Sequence, residues 1–336
     1  MPIASTINYQ QALSMALEDR APAWQDIISD AIPLFDVLRR KGLWQTYSGP
    51  RIRQTLMFDL PTIQWYSGYD TLANPPKELF NDAFFTPKMC VTPISLTNEE
   101  ILNNMGEAQI KQTMSEYMAA AELGLSNGME EALFSDGTGS GGKQLGGLNM
   151  AVPETPTNLY GGIDRNAWTV WRTQTFNANS FATGIGTQVT SATIRPFLNR
   201  IYGSMTRGRR SPDLLLMSPE HFEAYDAATV AVQRITNETS LGKLGFRTLE
   251  YIGVGNRAEI VYGGGKGSAM PANVTFLLET DSLRMRYNPN RNFDTLFKGD
   301  GQMPINQDAV AQFVGWMGEL TMVNPVFNGR FYDSSP

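Results

Sequence analysis

The chain has 336 residues, a formal net charge of −6, 42% hydrophobic residues and 18% charged residues. Ordinary domains carry roughly 25% charged residues, so this surface is short of charge, as suits a chain largely covered by neighbours. The negative balance excludes a protein that grips nucleic acid with its whole surface and leaves room for one face near DNA; the single cysteine, Cys90, excludes an intrachain disulfide.

At roughly 100–200 residues per domain, two interlocked domains are expected. Met1–Ser5 has neither the basic region nor the apolar core of a secretory signal, and no apolar run is long enough to span a bilayer. An intracellular soluble product is the expectation.

Residues 1–41 read as short helical pieces broken at Pro22 and Pro33, which end or kink a helix. Such pieces cannot bury a core alone, so an arm lying on something else is expected. From Gly42 to Pro93 prolines and aromatics rise. Residues 51–60 and 62–66 read as two strands of an exposed ribbon with no single buried face, and 84–91 as a returning strand. A free two-stranded hairpin is marginal in water, so another subunit is expected to buttress it. Cys90 is expected as a small buried apolar side chain in a strand.

Thr97-Asn98-Glu99-Glu100 reads as a capping box. Apolar or small residues then recur at 101, 105, 108, 114, 118, 121, 125, 129 and 133, one face of a long helix. Unbroken to Phe134 it would be on the order of 55 Å long. A glycine-rich loop, Asp136–Leu148, follows, and then a polar stretch, 152–190, with Trp168, Trp171 and Phe176 as anchors. Beyond Thr190 the pattern is α/β. Ile194, Phe197, Leu198, Ile201, Tyr202 and Met205 form a helical stripe, Asp213–Met217 a buried strand, and Ser218-Pro219 a helix start. Strands are expected at 246–252, 258–262, 274–279, 283–287, 309–317 and 319–323.

The chain offers little for catalysis. Gly137-x4-Gly142-Lys143-Gln144 falls short of a phosphate-binding loop: a helix precedes it and Gln144 stands where magnesium needs a hydroxyl. Gly253-Val254-Gly255 precedes a strand, which a tight hairpin explains better than a dinucleotide site. One histidine, His221, and one cysteine cannot make a structural zinc site. His221 is expected at a surface or interface. Neither a catalytic group, a cofactor nor a metal is assigned. The basic clusters Arg39-Arg40-Lys41 and Arg207-Gly208-Arg209-Arg210 can touch phosphates.

The order of parts is an arm, an extended hairpin, a long helix, a glycine-rich loop, an α/β region and terminal strands. It resembles the major capsid proteins of tailed bacteriophages, with their α+β, Hong Kong 97-like fold, over nearly the whole chain. The most specific match runs from Asn98 to Leu148, through Glu130-Glu131-Ala132-Leu133-Phe134, Asp136-Gly137-Thr138-Gly139 and Gly142-Lys143-Gln144-Leu145-Gly146-Gly147-Leu148. Asn306-Gln307-Asp308-Ala309 and the residues after it add to the resemblance. It implies an N-terminal arm (1–41), an extended loop (42–92), a peripheral domain with a spine helix (93–190 and 301–336) and an axial domain (191–300). It further implies a non-enzymatic shell protein of the virion, assembled in the host cytoplasm from pentamers and hexamers around double-stranded DNA. A separate scaffolding protein, a portal and a decoration protein are possible partners, a membrane is not, and no covalent crosslink is expected. Intersubunit contacts are expected at Trp24, Arg39, Arg40, Trp44, Arg51, Arg53, Phe58, Trp65 and Tyr66, with Arg39, Arg40 and Lys41 facing DNA. The alternatives are an encapsulin-like shell around protein cargo, an enzyme using the Gly137 loop, and a tail or portal component.

Overall fold

The computed structural model describes residues 32–57, 63–72, 80–97, 99, 107–181, 184–229, 248–253, 256–264, 268–296 and 309–334. Trp24, Phe58 and Glu100 of the capping box lie outside the described residues.

The first helix, α1 (Pro33–Arg40), starts with proline at its first position, where the missing N–H costs nothing. Leu34, Phe35, Val37 and Leu38 are buried in the chain's own core, so this last piece of the expected arm is anchored at home. Strands β1 (Trp44–Thr46), β2 (Ile52–Met57), β3 (Phe80–Phe85) and β4 (Lys88–Thr97) follow. Helix α2 (Glu107–Leu133) spans about 40 Å at 1.5 Å per residue. Its Met118, Ala121, Leu125, Met129 and Leu133 are all buried, as the periodicity requires. Thr97, expected as the helix cap, is the last residue of β4, and Glu99 two residues on is helical.

Next come the small hairpin β5 (Leu159–Tyr160) and β6 (Ile163–Asp164), β7 (Gln174–Asn177), α3 (Ile194–Met205), β8 (Leu214–Met217) and α4 (Pro219–Thr229). The chain closes with β9 (Thr248–Gly253), β10 (Asn256–Tyr262), β11 (Val274–Leu278), β12 (Leu283–Thr295), β13 (Ala309–Met322) and β14 (Gly329–Tyr332). β13 is one strand where two were expected. β9 and β10 pair antiparallel, with Asn256 opposite Gly253, which is the hairpin reading of those glycines.

Two sheets organise these strands. One has four strands in the order β1-β12-β13-β4, the other six in the order β7-β14-β11-β8-β10-β9. β7 and β14 come from the ranges 93–190 and 301–336 but pair beside β11, whereas β12, from 191–300, pairs with β13. The central strand β8 shows why its sequence is uniformly apolar. Leu214 and Leu216 face the larger core with α1 and α2, and Leu215 and Met217 face a second core under α3. Successive side chains point to opposite faces, so a strand buried on both needs no polar residue. All six stripe residues of α3 lie in that second core.

Two expectations are corrected here. His221 is not on a surface: it is 1% exposed on α4, its Nδ1 2.8 Å from Thr275 Oγ1. Burial disfavours the imidazolium and pushes its pKa down to about 4. Of the three expected anchors, Trp171 and Phe176 are buried, but Trp168 is 47% exposed.

Candidate functional site

The segment between β1 and β4 carries the densest exposed apolar surface among the described residues. β2 pairs antiparallel with β3, with Ile52 opposite Phe85 and Met57 opposite Phe80. The expected partner of β2, residues 62–66, is not a strand where it is described; the ribbon closes onto 80–85 across a long insertion. The returning strand expected at 84–91 is broken at Thr86-Pro87, where β3 ends and β4 begins.

The ribbon also has a buried face, contrary to the sequence reading. Ile52, Leu56, Ala83 and Phe85 belong to the larger core. The Phe85 ring meets Tyr160 edge-on at 5.0 Å, and the Phe84 N–H donates to Gly161 O at 2.9 Å. Gly161 and Gly162 both have positive φ, the backbone that a two-residue hairpin turn demands. A Cβ at Gly161 would come within 2.8 Å of Ala83 Cβ, so the β5–β6 turn fits under the ribbon only as glycine. The base is therefore buttressed by the chain itself.

The other face and the tip are not covered. Met57, Phe80 and Phe84 are exposed on the outer face of the ribbon. At the tip, Ile63, Trp65, Tyr66, Tyr69 and Leu72 all point to solvent, with Trp65 94% and Tyr69 106% exposed. Scattered exposed apolar residues are ordinary; a contiguous run of aromatics marks an interaction surface. Tyrosine and tryptophan are the residues interfaces favour, because they bring large contact area with few rotatable bonds.

The remaining sequence-selected residues fall in three places. Arg53 and Asp82 pair across the ribbon at 2.7 Å, and Thr55 Oγ1 also donates to Asp82, so both interactions hold that carboxyl below its usual range. Arg51 is exposed just before β2. Trp44 is half-buried inside the chain, its ring 5.3 Å from Phe35 and 6.1 Å from Tyr287. Trp65 and Tyr66 alone among the described contact residues are aromatics at the exposed tip.

The basic cluster sits at the C-terminus of α1, where cations complement the helix dipole. Arg40 Nε is 3.0 Å from Asp36, its i−4 neighbour. Lys41 Nζ hydrogen-bonds Asp213 Oδ2 and Thr280 Oγ1, tying α1 to the ends of β8 and β11. Arg39 is half-buried. The second cluster is a turn in which Arg210 grips Glu279 through Nε and Nη2 at 2.8 and 3.0 Å and stacks over Phe327 at 4.7 Å. Arg207 and Arg209 remain exposed.

The glycine-rich loop holds its own side chain. A Cβ at Gly139 would lie 1.9 Å from Gln144 Oε1, which accepts a hydrogen bond from Ser135 Oγ at 2.9 Å. Gln144 thus occupies the space above Gly139 from within the chain. The loop's far end is pinned by Glu319 on β13, whose Oε1 accepts the Gly146 N–H at 2.9 Å. Glu319 is 4% exposed, and desolvation raises its pKa to about 8, with the Gly146 hydrogen bond and the charge of Lys88 acting the other way. Sequence reasoning missed this group, although a lone carboxylate in the otherwise uncharged run 309–322 was the signal for it. Among the described residues, no group of three potential ligands could hold a metal ion, and no helix is long and apolar enough to cross a membrane.

No protein-family model matches the chain, and no curated protein matches it in sequence. Solved structures do. A cyanophage A-1(L) capsid asymmetric unit is 16% identical with a TM-score of 0.60, covering 88% of this chain and 92% of its own. The capsid of a native GTA particle is 11% identical with a TM-score of 0.57, covering 89% and 90%. A structure from Mycobacterium phage Bobi is 13% identical with a TM-score of 0.52, again covering 88% and 90%. The match in each case runs over nearly all of both chains, and the chain has the α+β, Hong Kong 97-like fold of tailed-phage capsid structures.

Proposed function

We propose that this chain is the major capsid protein of a tailed phage, a non-enzymatic subunit that assembles with copies of itself into a closed icosahedral shell around double-stranded DNA. The observation that carries the reading is the aromatic tip, Ile63–Leu72, on a ribbon whose base is fixed by its own chain. Rigid support under an uncovered aromatic surface is how an intersubunit contact is built, and the fold supports the same reading. In it, residues 1–41 are the arm and 42–92 the extended loop. Residues 93–190 with 301–336 form the peripheral domain around α2, and 191–300 form the axial domain, the two exchanging strands between sheets.

The partners proposed are further copies in pentamers and hexamers, packaged DNA bound without sequence preference, and separate scaffolding, portal and decoration proteins. Assembly takes place in the host cytoplasm and the product resides in the virion. Arg39 and Arg40 are the phosphate-facing candidates. Lys41, bonded to Asp213 and Thr280, is the weakest of the three.

Replacing Trp65, Tyr66 and Tyr69 together by serine tests the reading. The variant is expected to stay soluble, with the wild-type circular dichroism spectrum, and to lose closed shells in micrographs. Normal shell yield would overturn the contact assignment. Nuclease-protected nucleic acid in wild-type particles is the expected cargo; an enzyme cargo in its place would identify an encapsulin-like compartment.

A further inference from the structure

A cleft of about 480 Å³ opens between α2, β4 and the glycine-rich loop. Pockets for small ligands run to roughly 300–1,000 Å³, so the size suits one small molecule. Its floor is apolar, formed by Cys90 of β4, Leu125 and Met129 of α2, and Trp316 of β13. The wall along α2 is cut back at Gly124 and Gly128, where a Cβ would meet nothing within 4 Å. Glycine weakens a helix interior, and here it leaves open a slot that any side chain would narrow.

The charged groups of the cleft are of one sign. Lys88 and Lys143 line it, and no carboxylate does, in a chain with 33 acidic residues against 27 basic ones. Lys88 Nζ donates to Gly142 O, which uses one of its N–H bonds and leaves its charge unpaired. The buried Glu319 senses that charge, but desolvation keeps its carboxyl protonated at neutral pH, so it does not neutralise the lysine. Lys143 is exposed and makes no ion pair with the described residues. A third donor is unused: Trp316 is 2% exposed, and its indole N–H is buried without an acceptor. The N–H edge of the ring is turned toward the lysine end. Its Cζ2 lies 2.5 Å from where a Cβ of Gly318 would stand, and Gly318 is the register partner of Lys88.

We propose that this cleft binds a small amphipathic carboxylate. The anionic head sits between Lys88 and Lys143, and the aliphatic tail runs along the slot left by Gly124 and Gly128, over Leu125 and Met129. A carboxylate is acceptor-only, so it satisfies an ammonium group and the Trp316 N–H together, and charge-assisted bonds of this kind are the strong ones. The apolar floor favours a tail over a bare anion, because each methylene taken out of water tightens binding by up to about fourfold.

Titration calorimetry of the full-length chain with sodium decanoate, below its micelle concentration, tests the assignment. Saturable binding is expected, with none for acetate, which lacks the tail, or for decyltrimethylammonium, which carries the same tail under the opposite charge. Gly128→Leu fills the slot with a good helix former and is expected to melt no lower than the wild type and to lose decanoate binding. Lys143→Glu, on an exposed side chain, is expected to weaken binding by about tenfold or more without changing the melting temperature. Absence of saturable binding to the wild type, equal binding of the cationic probe, or a folded Gly128→Leu or Lys143→Glu chain that binds decanoate like the wild type would each overturn the assignment. Shell formation is read separately, in micrographs, and none of these outcomes alters that reading.

Discussion

Replacing Gly147 by alanine will destabilise the chain by on the order of 4 kcal/mol, among the largest effects a single substitution produces. A Cβ there would lie 2.1 Å from Leu133 O and 2.4 Å from Ala132 O. These are carbonyls of the last turn of α2, fixed by the helix, so no flexible side chain can give way. The Gly147 N–H also donates to Ser135 O at 3.1 Å, which locks the loop across the helix end. Gly142→Ala is the comparison. Its Cβ would meet nothing within 4 Å, but its φ is +79°, so strain of about 1–2 kcal/mol is expected. Urea midpoints of the dissociated subunit decide the matter. Equal losses for the two variants would contradict a steric role for Gly147.

Glu319→Gln is expected to stabilise the subunit above neutral pH and to reshape its pH dependence. The folded chain holds this proton up to about pH 8, against an ordinary value of 4.5. Between those values the folded state binds a proton that the unfolded state gives up, so rising pH costs about 1.4 kcal/mol per unit. Glutamine keeps an acceptor for the Gly146 N–H and removes that cost.

His221 works with the opposite sign. Its folded pKa lies near 4, below an ordinary 6.5, so stability rises with pH across that window. The wild type should therefore be nearly flat between about pH 4.5 and 6.5 and weaken from there to about pH 8. Glu319→Gln should climb to about pH 6.5 and then hold, ending on the order of 5 kcal/mol above the wild type at alkaline pH. Midpoints at about pH 5, 7 and 9 give the curves. A wild-type subunit that does not weaken above pH 7 would contradict a buried protonated Glu319.

The parts of the fold that could be read from sequence are those where one face is buried with a regular period. The α3 stripe from Ile194 to Met205 and the α2 residues from Met118 to Leu133 are such cases, because a 3.6-residue repeat leaves little choice of partner face. Pairing across an insertion was not legible: β2 reads most simply with the adjacent 62–66, and nothing in its own residues names 80–85. β13 was split at Gly318, which reads as a break. In the sheet this glycine allows a close approach, since a Cβ would lie 2.4 Å from Arg286 O.

The site was half legible. Trp65 and Tyr66 stood out as aromatics in an unsupported ribbon, and they are exposed at its tip. Trp44 looked the same in sequence but is packed on Phe35 and Tyr287, a difference set by contacts distant in the chain. His221 and Glu319 escaped for a related reason: burial of a lone polar group is decided by what folds over it.

The central claim is that this chain builds a closed shell from copies of itself, and negative-stain electron microscopy of the protein expressed alone, with sedimentation velocity beside it, tests that most directly. Closed shells, or discrete pentamers and hexamers, are the expected result. A chain that sediments as a monomer or dimer at every concentration, with and without a co-expressed scaffold, would contradict the account.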